Sequence, residues 1–176
     1  MMKSHWLLIG TLLISSLAQA AEVTVNAGGK DATVQYRVLD REISEKDRNT
    51  GSQSSPVECS LLYYSQLAKG DVKAASQLAT DPSAAADTWK QYQARVGAAD
   101  FKKEMAAYFT AKNRIVAEFV FADETMLVVK TPDYTAGQVY RQKDGKYFVV
   151  TGRPFSEASR ILGKTLNMIN EGKIKL

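Results

Sequence analysis

The chain has 176 residues, 23 of them Lys or Arg and 19 Asp or Glu, with basic and acidic positions interleaved. That length fits one domain with a real core, and a net charge of +4 without a basic run gives no support to nucleic-acid binding. A single cysteine, Cys59, excludes an intramolecular disulfide and leaves the apolar core to hold the fold; it reads as a buried inert thiol or as an exposed one open to a second molecule.

Lys3, an apolar stretch opening at Trp6-Leu7-Leu8-Ile9, and Ala18-Gln19-Ala20 ahead of Ala21 together read as an export signal cleaved near Ala20-Ala21. The stretch runs about 12 residues against the roughly 20 of a spanning helix, so residues 1–20 are expected to be removed and to leave no transmembrane span. No cysteine follows the signal for lipid attachment. The expected product is a periplasmic or secreted domain, residues 21–176. Cleavage removes His5, the chain's one histidine, and leaves 22 basic residues against 19 acidic, a net of +3.

Val23 and Val25, then Val34, Tyr36 and Val38, share one parity around Ala27-Gly28-Gly29-Lys30-Asp31, which predicts an N-terminal β-hairpin. Residues 40–55 are polar without apolar period and are expected to be a mobile loop, either a solvated connector or a partner-facing edge. Ser55-Pro56-Val57-Glu58 predicts a helix start with a capping box, followed by Val57, Leu61, Leu62, Tyr64 and Leu67 at helical spacing up to Gly70. Asp71 caps a second helix expected to end near Asp81-Pro82, and residues 83–111 read as further helix divided at Gly97.

At Asn113 the period changes. Strands are expected at Arg114–Phe121, Thr125–Lys130, Gly137–Gln142 and Lys146–Thr151, and their short links favour an antiparallel meander. Ser156 then caps a last amphipathic helix ending at Gly172. Its Arg160, Lys164, Lys173 and Lys175 either meet an anionic lipid surface or form an ordinary wet face.

With no histidine after the signal, a Ser-His-Asp or Cys-His pair cannot be assembled, and a histidine-ligated zinc is excluded. Gly28-Gly29 sits in a hairpin and no phosphate cradle or calcium loop is found, so no cofactor or metal is expected. Most carboxylates flank turns or lie on helix surfaces. Glu118, inside an apolar strand, either faces solvent on the wet side of the sheet or enters a pocket with a raised pKa. Tyr63, Tyr64, Trp89, Tyr92, Tyr108 and Phe109 cluster on the helices, where they fill a core or line a small-molecule cavity.

The order of elements over residues 56–151, with the string Leu61-Leu62-Tyr63-Tyr64-Ser65-Gln66-Leu67-Ala68-Lys69-Gly70-Asp71-Val72-Lys73-Ala74-Ala75, resembles the nuclear transport factor 2-like, or cystatin-like, α+β cone of exported bacterial proteins. The resemblance implies helices packed on one face of a curved antiparallel sheet, around a pocket used for ligands, for catalysis, or filled by side chains. The N-terminal hairpin and C-terminal helix depart from its simplest form. The expected protein is a single exported α+β domain that works by binding a protein partner, as an accessory subunit, inhibitor or immunity protein. Asp123, Tyr134 and the 40–55 segment are its candidate partner surface. The alternative is a small-ligand carrier, or an enzyme with Glu, Asp or Tyr chemistry, using a pocket formed by Tyr64, Trp89, Tyr92 and Glu118.

Overall fold

A computed structural model describes residues 20–176; the proposed signal, residues 1–20, lies outside the described residues except for Ala20. The chain builds a six-stranded antiparallel sheet in sequential order, β1 (Ala21–Ala27), β2 (Lys30–Ile43), β3 (Asn113–Phe121), β4 (Glu124–Lys130), β5 (Thr135–Lys143) and β6 (Lys146–Val149). Between β2 and β3 lie α1 (Pro56–Lys69), α2 (Val72–Ser76), α3 (Pro82–Val96) and α4 (Ala98–Ala106), and α5 (Glu157–Asn170) follows the sheet. The fold is α+β, with helices packed against a curved, unclosed sheet as the sequence implied.

Local chemistry explains the element starts. Gly28 and Gly29 both have positive φ (64° and 82°), which suits the tight turn joining β1 to β2. Ser55, Asp71, Asp81 and Ser156 each accept a hydrogen bond from the amide three residues on, capping α1, α2, α3 and α5. The capping box expected at Ser55 forms only by half, since Glu58 lies instead 3.6 Å from Arg41. Gly97 divides α3 from α4 as expected.

Two expectations change. The polar segment from Asp40 begins as strand, because β2 runs on to the fully buried Ile43; a short 3-10 turn at Glu45–Asp47 follows, and Gln53 bonds the backbone of Tyr147 in β6. The second helix stops at Ser76, short of Asp81. Its continuation pairs with the sheet instead, Thr80 donating to the Val149 carbonyl and Val149 to that of Leu78, both at 2.8 Å.

The core has two parts, one on each face of the sheet. Directly paired residues share a face, so Ile115 and Val129 look toward α1–α4, whereas Phe119 and Met126 look toward α5. Bulges in β2 between Val38 and Arg41 and in β3 at Val116 bend both strands at the same level and invert the parity of β3, so that Ile115 and Ala117 face opposite sides. Of the adjacent leucines on α1, Leu61 is fully buried, and Leu62, expected on the apolar face, is only half-buried. On the α5 side Gly137 makes room for its neighbours: a Cβ there would lie 2.7 Å from Met126 Sδ and 3.0 Å from Leu166 Cδ2, so both side-chain ends would have to shift.

Candidate functional site

Between α1, α3, α4 and the adjoining ends of β4 and β5 lies a cleft of about 570 Å³, a size ordinary for small-molecule sites. Helical geometry sets its inner wall. Ser60 and Tyr64 stand one turn apart on α1, and Tyr108, just beyond α4, engages both: its ring stacks on Tyr64 (centroids 4.0 Å apart, 12° between planes) and its hydroxyl lies 2.7 Å from Ser60 Oγ. Asn113 opens β3 and is buried, its amide nitrogen donating to the carbonyls of Ala107 at 3.1 Å and Tyr108 at 3.0 Å. Val129, Ala136 and Gln138 form the sheet side, all on the helix-facing surface.

The outer wall comes from α3. Trp89 Nε1 donates to the buried Tyr63 hydroxyl at 2.5 Å, and the Trp89 ring meets Tyr92 and Phe101 edge-on, each with centroids 6.1 Å away. Tyr92 donates to Glu104 Oε2 at 2.5 Å and carries the Arg95 guanidinium over its ring at 4.8 Å. At the mouth the link between β4 and β5 folds into a turn in which Thr131 N–H donates to the Tyr134 carbonyl at 2.9 Å, and Tyr134 projects from it 64% exposed.

Burial determines what these groups can do. It raises the Tyr64 hydroxyl far above its ordinary range and the Tyr108 hydroxyl to about 12. Tyr140, behind the cleft, is pushed well up for the same reason, and its buried hydroxyl faces Ser60 without a close hydrogen bond. The inner tyrosines therefore stay protonated near neutrality and act as hydrogen-bonding groups, not as bases. Carboxylates reach the cleft only through the exposed Glu104 and Asp133. Among the described residues no group of three His, Cys, Asp or Glu is placed to hold a metal.

No family model, curated protein or solved structure matches this chain.

The structure brings Tyr64, Trp89 and Tyr92 together around the cleft, and Tyr134, expected on a partner surface, lines it as well. Glu118 is not in its lining. The bulge turns Glu118 to the helix-facing side opposite Leu127, where Arg37 donates to it at 3.0 Å, so it neither faces open solvent nor enters the cleft. Asp123 sits in the turn before β4 and Tyr134 beyond its far end, so the two do not form one surface; Asp123 instead lies 3.3 Å from Arg141 Nε. The sequence reading missed Ser60, Asn113 and Gln138. The spacing of Ser60 and Tyr64 was the available signal for the first, while the other two are placed by the sheet.

Another polar group sits on the α5 side. Glu124, read as part of a turn, is fully buried as the first residue of β4 and accepts from Arg141 and from Ser156 (2.8 Å) and Ser159 (2.5 Å) at the start of α5. It fastens α5 to the sheet.

Proposed function

We propose that this protein is a non-catalytic carrier of a small ring-containing molecule, exported to the periplasm or beyond and built on the cone scaffold of the nuclear transport factor 2-like superfamily. The observation that carries the reading is the hollow between α1, α3, α4 and the sheet, walled by Tyr64, Trp89 and Tyr108 and floored by neutral hydrogen-bonding groups. This favours the ligand alternative over the protein-partner expectation, whose candidate surface is split between the two ends of β4.

Ala136→Phe, which places a ring in the cleft from the sheet side, supplies the test. A panel of ring-containing small molecules is titrated against the purified protein and followed through Trp89, the only tryptophan beyond residue 20. The expected result is saturable binding that Ala136→Phe abolishes in a protein of unchanged circular dichroism. Binding that survives the filled cleft, or a panel without a binder, overturns the carrier reading.

A further inference from the structure

Resting on that carrier reading, we infer that the ligand is uncharged and enters the cleft with a hydroxyl or carbonyl group foremost. The cleft sorts its polarity by depth. Its charged residues, Glu104, Lys112 and Asp133, are all exposed, whereas Ser60 and Asn113 are buried and neutral. A carboxylate or an ammonium pressed onto that floor would lose its hydration, and the charges that act on Tyr108 there, Arg41 and Asp47, already pair with each other at 3.0 Å.

The inner hydrogen bonds specify what the floor still offers. Ser60 and Tyr108 share one bond at 2.7 Å; when Ser60 donates, the Tyr108 hydroxyl keeps a proton to give, and when Tyr108 donates, the Ser60 proton is divided between the cleft and the Tyr140 hydroxyl behind it. Asn113 uses its amide nitrogen on two carbonyls, which leaves its side-chain oxygen as an acceptor. A ligand hydroxyl can answer both a donor and an acceptor, and a carbonyl answers the donor. The donor persists across the neutral range, since burial holds the Tyr108 hydroxyl up to about 12. Beside this floor the Tyr64–Tyr108 stack, whose facing surfaces cover each other, leaves ring edges and an outer face that with the neighbouring Trp89 offer flat, apolar contact better suited to a ring system than to a flexible chain.

The test uses probes that share one ring and differ in charge: naphthol, naphthalenesulfonate and trimethylnaphthylammonium, with naphthalene as the parent. Calorimetric titration of the purified protein should show naphthol binding at least about tenfold more tightly than either ion, and the double variant Ser60→Ala/Tyr108→Phe, which removes both hydroxyls of the pair, should weaken naphthol about fivefold while leaving naphthalene unchanged. Either single variant keeps one hydroxyl with its proton free and should bind naphthol within about twofold of the parent. An ion that binds as tightly as naphthol, or more so, overturns the inference and leaves the carrier reading standing. Equal loss of naphthol and naphthalene in the double variant overturns it too, since the hydroxyls would then only shape the cleft. No binding by any of the four probes also overturns it, and the carrier reading falls with it only when the broader panel yields no binder either.

Discussion

Replacing Glu124 by Gln keeps the shape of a fully buried side chain and removes its charge, so the cost measures what that carboxylate contributes to holding α5. Its oxygens accept from Arg141, Ser156 and Ser159. Hydrogen bonds to a charged group are each worth about 1.5–3 kcal/mol, and breaking a buried ion pair from one side costs about 3–5 kcal/mol. Arg141 retains 35% exposure, so water recovers part of its side of the pair and the low end applies. One serine hydroxyl can turn to accept from the new amide, which recovers a little more. The expected loss is about 2–3 kcal/mol, or roughly 5–10 °C in melting temperature for a domain of this size. Urea denaturation at neutral pH should show a lower midpoint with an unchanged slope. Ser159→Ala should couple to Glu124→Gln by about 1 kcal/mol in a double-mutant cycle. A Gln variant within about 0.5 kcal/mol of the parent, or strict additivity with Ser159→Ala, would refute the claim that this carboxylate fastens the helix.

Leu61→Ala should cost about 2–5 kcal/mol and Leu62→Ala about 1 kcal/mol, because Leu61 has no exposed surface while Leu62 is half-buried; equal losses in denaturant titrations would contradict the observed phase of α1. Burial raises the Cys59 thiol from 9.0 to about 12, so between those values the unfolded chain binds fewer protons than the folded one and stability falls as pH rises. The slope from this group approaches about 1.4 kcal/mol per pH unit only near the middle of the window, so about 1 kcal/mol is lost between about pH 9 and pH 10, and Cys59→Ala should remove that loss from denaturation curves recorded there; an unchanged slope counts against the assignment. The exported protein should begin at Ala21, which N-terminal sequencing of an extracytoplasmic fraction checks, and an intact Met1 there would overturn the proposed export.

The helix starts were legible because capping is chemistry between near neighbours: Ser55, Asp71, Asp81 and Ser156 each reach an amide only three residues away. What was not legible depends on distant chain. The second helix ends early because β6 offers the Leu78 to Thr80 backbone better partners than another helical turn. Glu124 looked like a turn residue because its hydroxyl donors lie 32 and 35 residues further on. Counting alternation from Ile115 would put Glu118 on the opposite side of the sheet, and only the bulge at Val116, which no residue type announces, returns it to the helix-facing side. Tyr64, Trp89 and Tyr92 could be placed on helices from their spacing, but their convergence on one hollow follows from how α1, α3 and α4 pack.

Gly137 makes the sheet one backbone thick between two environments. Its main chain borders the cleft, and Leu166 of α5 presses on it from behind. The wall of the cleft at this point is therefore backed directly by α5, and a residue at position 166 larger than Leu would press on main chain that the cleft shares, while the aromatic side chains around the cleft stay as they are.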